Sequence, residues 1–226
     1  MTSALSTGIL GGSFNPVHRD HIAMALEARR RLRLDRVIFI TNASPAYKNT
    51  AGTSYKDRRA MLELAIKPYP FFSISDLESD PSEHHYTFDT LSKLRRELGP
   101  EERLFFLMGT DSLLYLDEWK RGLELVKLAN LAVIGRKGHL EREVKPVIAD
   151  FLKRTRVDEG SPEFEKALMD PCGHCLMLSS CLHFISSQAL REEISITPSG
   201  TLAGEYLEPE VLKYALSHHL YDRRRG

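Results

Sequence analysis

The sequence lacks the features that mark secreted, membrane-spanning and nucleic-acid-binding proteins. It has three cysteines in 226 residues, a small and odd number that disfavours a disulfide framework. No run of about 18 apolar residues occurs, so no membrane span is predicted, and residues 1–5 lack the basic and apolar parts of a signal peptide. Lysine plus arginine (31) equal aspartate plus glutamate (31), which leaves no net field to draw the chain onto nucleic acid or a membrane. We therefore expect a cytoplasmic protein with reduced thiols.

Short apolar runs alternate with longer helical patterns along most of the chain. Because this alternation is typical of parallel sheets covered by helices on both faces, we predict an α/β fold. A doubly wound parallel sheet with right-handed crossovers is expected over residues 6–135. We expect a single domain of residues 1–226, with an α/β core at 6–183, a variable segment at 139–175 and a small C-terminal helical cap at 184–226. The predicted strands are 8–12, 35–40, 71–75, 104–108, 131–134 and 175–178. The predicted helices are 18–34, 55–66, 86–98, one or two within 113–129, a surface helix with a loop within 136–172, 187–194 and 209–218.

The most informative stretch runs from Gly11 to His21 and reads GGSFNPVHRDH. Two glycines at the carboxyl end of a strand allow the backbone to turn tightly and to approach a ligand. His18 and His21 are three residues apart in the first turn of the next predicted helix, where both imidazoles share one face near the positive end of the helix dipole. This arrangement is typical of a phosphate site, although the same residues could form a helix start that binds no ligand.

The stretch resembles the G-G-[ST]-F-[DN]-P-x-H-x-G-H motif of the nucleotidyltransferases, and more closely that of the nicotinate-nucleotide adenylyltransferases. Other segments resemble blocks of that family in the same order. They are S-P-A-Y-K at 44–48, R-x-x-M-L-E-L-A at 58–65, Y-T-F-D-T-L at 86–91, G-T-D-S-L at 109–113 followed by Trp119, R-K-G at 136–138, and I-S-S-Q-A-L-R at 185–191. The resemblance covers most of the chain and fades at 139–175. It implies a Rossmann-like fold and adenylyl transfer from ATP to nicotinate mononucleotide, which yields deamido-NAD and pyrophosphate.

The resemblance also implies roles for individual residues. The residues implied to be catalytic, by contact with the triphosphate, are His18, His21 and Arg191. The residues implied to bind ATP are Gly11, Gly12, Ser13, Phe14, Gly109, Asp111, Ile185, Ser186 and Ser187. The residues implied to bind the mononucleotide are Asn15, Lys48, Thr87, Trp119 and Arg136, with Trp119 stacking on the pyridine ring and Thr87 contacting its substituent. No metal site built by the protein is implied, because Mg²⁺ arrives with ATP and is held mainly by phosphate oxygens.

Most of these residues have a purely structural alternative. Arg191 could pair with a surface carboxylate, and Trp119 could belong to the core. We expect Asp111 to act as the N-cap of the helix that follows Gly109, and Thr87 could cap its own helix in the same way. Lys48 and Arg136, the candidates for the mononucleotide phosphate, could both be solvated loop charges.

Two positions depart from the family motifs. Asp20 replaces the glycine between the two histidines, and Tyr47 replaces the histidine of P-P-H-K. An aspartate adds bulk and negative charge beside the phosphates. Because it is offset by about 100° from His21 on a helix, we expect Asp20 to face solvent.

The cysteines form a weak pattern. Cys172, Cys175 and Cys181 together with His183 would suffice for a zinc site. A single C-x-x-C pair without a matched second pair is weak evidence for a metal, and Cys175 begins an apolar run, where thiols are commonly buried. We therefore predict no zinc.

Two other functions compete with the main prediction. One is a related nucleotidyltransferase that uses another phosphate acceptor, such as nicotinamide mononucleotide, phosphopantetheine or glycerol phosphate. The other is a non-catalytic nucleotide-binding protein, which Asp20 and Tyr47 motivate. The expected partners are ATP and nicotinate mononucleotide, with a homo-oligomer left open and with neither nucleic acid nor a membrane.

Overall fold

The computed structural model describes residues 4–43, 53–136, 144–180, 185–197 and 200–222. The strands are β1 (Ser6–Gly12), β2 (Arg36–Thr41), β3 (Phe72–Ser75), β4 (Arg103–Gly109), β5 (Asn130–Arg136), β6 (Arg156–Asp158) and β7 (Cys175–Ser180). The α-helices are α1 (Arg19–Arg31), α2 (Tyr55–Ile66), α3 (Thr87–Leu98), α4 (Thr110–Leu114), α5 (Pro146–Thr155), α6 (Phe164–Ala167), α7 (Ser187–Ile196), α8 (Thr201–Tyr206) and α9 (Pro209–Ser217). Two 3₁₀ helices span Leu116–Glu118 and Gly122–Lys127.

The strands form one parallel sheet in the order β3-β2-β1-β4-β5-β7-β6. The strand order reverses beside β1, which pairs with β4 in a register that runs from Ser6 opposite Arg103 to Ile9 opposite Phe106. Residues 104–108 of β4 are all buried, as expected for a strand that helices cover on both faces. The predicted doubly wound α/β fold is confirmed.

The segment 113–129, predicted to hold one or two helices, contains the end of α4 and the two 3₁₀ helices. A sharp turn causes the interruption, because Arg121 has a left-handed backbone conformation with φ of 54°. Gly122 follows it and packs so closely that a Cβ there would lie 1.8 Å from the Leu116 carbonyl oxygen. Only a residue without a side chain fits this position, so a continuous helix is excluded.

Sequence reasoning missed three short elements: β6, α6 and α8. Strand β6 lies in the variable segment and pairs with β7 at the edge of the sheet. Its three residues are too few to show a period of two. Helix α8 begins where the Glu193 carboxylate accepts hydrogen bonds from the backbone N–H groups of Leu202 (3.0 Å) and Ala203 (2.6 Å). This cap is supplied from α7, so the local sequence of α8 contains no sign of it.

The described residues divide into two compact units. The first unit holds those within 1–10, 25–38 and 86–182, and the second unit holds those within 11–24, 39–85 and 183–226. The single-domain boundaries remain a prediction. Within the described part of the chain, no helix combines the length and the apolar character needed to cross a membrane.

Candidate active site

The second unit contains a cavity of about 560 Å³ at the carboxyl end of β1. Residues from three parts of this unit line it: the end of β1 with the following loop, the first turns of α1, and the start of α7. Ten of the predicted site residues come together there: Gly11, Gly12, Ser13, Asn15, His18, His21, Ile185, Ser186, Ser187 and Arg191. Asp20, Met24 and Gln188 also line the cavity and were not predicted to do so.

The turn after β1 is made by Phe14 rather than by the glycines. Gly11 and Gly12 belong to the extended strand, whereas Phe14 has a left-handed φ of 45°. Its ring is 1% exposed and packs edge-on against the His21 ring, with centroids 5.1 Å apart. Gly12 makes room for this ring, since a Cβ there would lie 3.1 Å from its Cζ. Phe14 therefore lies beneath the cavity and supports His21.

The two histidines are held together at the start of α1. The His21 Nδ1 accepts a hydrogen bond from the His18 backbone N–H (3.2 Å), and the ring centroids are 3.7 Å apart. A nitrogen that accepts uses its lone pair, which assigns the ring proton of neutral His21 to Nε2. His21 thereby caps the backbone of the turn through Nδ1, and its Nε2 is the ring nitrogen that carries the proton.

His18, the residue before α1, is buried. Its exposed fraction is 5%, and burial lowers the pKa of its imidazole to about 4. The ring is therefore neutral at pH 7. Its Nδ1 is buried and has no hydrogen-bond partner within the described residues, whereas the residue as a whole lines the cavity.

The start of α7 is hydrogen-bonded to the loop that follows β1. Ser186 caps the helix by accepting from the Ala189 N–H (3.1 Å). The Ser187 hydroxyl donates to the Pro16 carbonyl (3.1 Å), and Arg191 Nη1 donates to the Asn15 carbonyl (2.6 Å). Arg191 makes no carboxylate ion pair within the described residues, so the remaining N–H groups of its guanidinium can meet a ligand.

Asp20 does not face solvent, and that expectation was wrong. Its exposed fraction is 8%, and its Oδ2 accepts a hydrogen bond of 2.6 Å from the Ile185 N–H. The helical offset from His21 is correct, but the start of α7 packs over that side of α1. A contact 165 positions away along the chain leaves no signal in the local sequence.

Two side chains support the loop from outside the cavity, one fully buried and one partly exposed. The Arg58 guanidinium is fully buried and donates to the carbonyls of Ser13 (2.7 Å) and Asn42 (2.7 Å). The Tyr221 hydroxyl donates to Asn15 Oδ1 (2.8 Å). Arg58 was visible as part of a family block, whereas Tyr221 lies beyond every motif that the sequence offered.

The remaining described candidates lie in the first unit. Gly109, not Asp111, occupies the N-cap position of α4, and no side chain caps that helix. The prediction that Asp111 caps it was wrong: Asp111 is the second helical residue and is exposed. Helix α4 lies against β5, since a Cβ at Gly135 would be 1.9 Å from the Thr110 hydroxyl.

Thr87 and Trp119 belong to segments that contact each other. Thr87 is the first residue of α3, and its hydroxyl does not cap that helix. The ammonium of Lys120, which follows Trp119, lies 4.5 Å above the Tyr86 ring and 2.8 Å from the Asp89 carboxylate. The segment that carries Trp119 is thereby held on the first turn of α3.

The Trp119 ring is only partly covered. It makes a T-shaped contact with the Phe106 ring of β4, with centroids 6.4 Å apart and planes at 77°. The neighbouring Arg121 guanidinium lies 3.8 Å above the Phe88 ring, which adds a second cation–aromatic contact between the two segments. Trp119 therefore contacts the core without being buried in it.

Some predicted residues fall outside this description. Lys48 and Tyr47 lie outside the described residues, as do Cys181 and His183. Arg136 ends β5 opposite Ser180 of β7, and nothing is described of its side chain.

The described cysteines do not share the cavity. Cys175 is fully buried in β7, and burial raises the pKa of its thiol to about 12. Cys172 is partly exposed. Within the described ranges no cluster of three metal-ligating side chains occurs.

Comparison with known proteins agrees with this geometry. The family described as cytidylyltransferase-like matches residues 9–193. The chain is 34% identical over 222 residues to the "Probable nicotinate-nucleotide adenylyltransferase" of Dehalococcoides mccartyi strain CBDB1, covering 98% of this chain and 99% of the relative. It is also 34% identical over 215 residues to the protein of the same name from Cellvibrio japonicus, covering 95% and 97%.

Solved structures show the same fold. Nicotinic acid mononucleotide adenylyltransferase from Plasmodium falciparum, complexed with NaAD, aligns with a TM-score of 0.73 at 20% identity and covers 96% of this chain and 97% of that one. The same enzyme complexed with APC aligns with a TM-score of 0.70. The predicted family is confirmed by the sequence matches: the chain belongs to the cytidylyltransferase-like family and, within it, to the nicotinate-nucleotide adenylyltransferases.

Proposed function

We propose that this protein joins ATP to nicotinate mononucleotide, releasing pyrophosphate and forming deamido-NAD. The observation that carries the proposal is the cavity of the second unit, where the starts of α1 and α7 present two imidazoles and a guanidinium. Helix starts offer partial positive charge and N–H groups to an oxyanion. This set of donors fits the triphosphate group of ATP.

The reaction needs positioning and charge stabilisation more than covalent help. The phosphate of the mononucleotide attacks the α-phosphorus of ATP, and the bond to the β-phosphate breaks as pyrophosphate leaves. We assign the His21 Nε2–H and the Arg191 guanidinium to the phosphate oxygens on which negative charge develops. His18, neutral at pH 7 because burial lowers its pKa to about 4, acts as a hydrogen-bonding group rather than as a cation.

Mg²⁺ fits this site as an ion that ATP carries. The formal charges of Arg191 and Asp20 cancel at the cavity wall, so these two residues leave the charge of a triphosphate unbalanced. Mg²⁺ usually takes one or two carboxylates and substrate phosphate oxygens instead of a cage of protein ligands. When bound, the ion would neutralise negative charge on the phosphate oxygens. Asp20 lines this cavity but is engaged by the Ile185 N–H, so the phosphate oxygens of ATP would be the main ligands of the ion.

The acceptor is assigned to residues that sequence reasoning named. Trp119 stacks on the pyridine ring, which suits a flat cationic heteroaromatic. The Thr87 hydroxyl and nearby N–H groups contact its carboxylate, and Lys48 and Arg136 bind the mononucleotide phosphate. Donors of this kind satisfy a carboxylate but oppose the NH₂ of an amide. We therefore expect nicotinate mononucleotide to be preferred over nicotinamide mononucleotide by about tenfold, the effect of one buried polar mismatch.

The decisive experiment is a pyrophosphate-release assay with ATP and a panel of acceptors. The panel contains nicotinate mononucleotide, nicotinamide mononucleotide, phosphopantetheine and glycerol phosphate. Turnover highest with nicotinate mononucleotide is expected. Higher turnover with another acceptor would replace the substrate and keep the chemistry. Release no faster than background with every acceptor would favour a non-catalytic nucleotide-binding protein.

A further inference from the structure

Among the described residues, three hydrogen bonds join α7 and the residue Ile185 before it to residues 15–20 of the second unit. In two of them α7 donates a side chain to a carbonyl, from Arg191 to Asn15 and from Ser187 to Pro16. The third runs the other way, because the Asp20 carboxylate accepts the Ile185 N–H at 2.6 Å. A glycine at position 20, as in the family motif, has no side chain with which to make this bond.

We infer that Asp20 is a positioning residue that fixes the start of α7 against α1, and through it the ATP-binding residues of α7. The carboxylate is buried and lines the cavity, so it is held in place by the bond instead of being solvated. A hydrogen bond to an ionised carboxylate is stronger than one between neutral groups. The inference rests on the proposed function only in naming ATP as the ligand.

The bond also limits what the backbone N–H of Ile185 can bind. Its N–H is committed to Asp20, which leaves that group unavailable to the ATP phosphates. Binding at the start of α7 then depends on Ser186, Ser187 and Arg191, whose placement the Asp20 bond preserves. The cost is a negative charge at the wall of a phosphate site, which weakens anion binding when no cation offsets it.

Two substitutions separate the bond from the charge. Asp20→Ala removes both, whereas Asp20→Asn removes the charge and keeps an amide oxygen that can accept from Ile185. The matched control is Arg19→Ala in the same turn. Arg19 also ties α1 to a later segment, through the Glu205 carbonyl (2.7 Å) and the Glu208 carboxylate (3.3 Å), but its side chain is 44% exposed.

The experiment measures ATP binding with Mg²⁺ in the absence of acceptor, together with amide hydrogen exchange at Ile185. For Asp20→Ala we expect about tenfold weaker ATP binding, the loss that one charge-assisted hydrogen bond produces, and at least tenfold faster exchange at Ile185. Asp20→Asn should bind ATP within threefold of the parent or more tightly, and Arg19→Ala should bind within twofold. Asp20→Ala with parental affinity and parental exchange would overturn the inference.

Two further outcomes keep the inference and the proposed function separate. Equal weakening in Asp20→Asn and Asp20→Ala would mean that an accepting oxygen at position 20 does not preserve ATP binding, and would overturn the positioning role. If Asp20→Ala does not fold, the parent protein still provides a test, since an Ile185 amide that exchanges as fast as an exposed amide contradicts the bond. The exchange measurement needs no substrate, so a parent that fails to bind ATP would reject the proposed function while leaving the exchange test of Asp20 intact.

Discussion

The two units hold their candidate residues in different ways. In the second unit the residues are bonded directly to the local backbone, as in Arg191 to the Asn15 carbonyl (2.6 Å) and His21 to the His18 N–H (3.2 Å). In the first unit, no described hydrogen bond involves the hydroxyl of Thr87 or the carboxylate of Asp111. Thr87 lies beside the contact of Lys120 with the Tyr86 ring, and Asp111 lies on α4, which packs against β5.

This difference predicts different consequences of mutation. A group held by its own hydrogen bonds is preorganised, and preorganised donors act on the charge that develops during the reaction. A group held through neighbours sets how well the acceptor fits. We therefore expect changes in the second unit to lower kcat, and changes in the first unit to raise the KM of the acceptor.

The largest effect is expected for His18→Ala. Its imidazole lines the phosphate cavity, and removing one preorganised donor typically lowers the rate by about 10²–10³-fold. The measurement is kcat for pyrophosphate release, with thermal unfolding recorded in parallel because His18 is buried. The matched control is His84→Ala, which removes an exposed histidine of the same unit. A folded His18→Ala protein within threefold of the parent rate would remove His18 from the mechanism.

The sequence predicts those parts of this contrast that depend on residues close together along the chain. The limits of α2 match the prediction because its signals are local: Ser54 caps it by accepting from the Asp57 N–H, and Pro68 follows it. The gathering of β1, α1 and α7 residues followed from the family motif. Asp20 was misplaced because its partner Ile185 is 165 positions away, and Tyr221 was missed for the same reason.

The second effect concerns the stability of the second unit at low pH. Burial lowers the pKa of His18 to about 4 from 6.5, so between these values the unfolded chain binds a proton that the folded chain does not. The contribution of His18 is therefore fully present above pH 6.5 and is lost as the pH falls towards 4. It amounts to about 3 kcal/mol.

Denaturant unfolding at pH 7 and pH 4 measures this contribution. The free energy of unfolding should fall more steeply with acid in the parent than in His18→Asn, which carries no titrating ring. Other groups that titrate in this range are common to both proteins and cancel in the difference. Equal pH dependence of the two proteins would show that His18 is solvated.

The third effect lies in the first unit and concerns Trp119→Ala. Loss of aromatic stacking should raise the KM of nicotinate mononucleotide by about tenfold, since such stacking contributes about 1–3 kcal/mol. The KM of ATP should change little. Because stacking does not depend on the substituent of the ring, the KM of nicotinamide mononucleotide should rise by the same factor. The preference for nicotinate mononucleotide should therefore persist. Trp119→Phe keeps a ring face and serves as the control, and an unchanged acceptor KM in Trp119→Ala would place this side chain outside the acceptor site.

The smallest effect is expected for Thr87→Val, which keeps the shape of the side chain and removes its hydroxyl. The hydroxyl does not cap α3, so its loss should leave the fold unchanged and should act on the substituent of the acceptor ring. A single hydrogen bond contributes about 0.5–1.5 kcal/mol, and we expect kcat/KM for nicotinate mononucleotide to fall about threefold. The kcat/KM for nicotinamide mononucleotide should not fall, so the preference for nicotinate mononucleotide should decrease. Thr87→Ser retains the hydroxyl and should retain the preference. An equal fall in kcat/KM for both acceptors in Thr87→Val would mean that Thr87 shapes α3 without contacting the substituent.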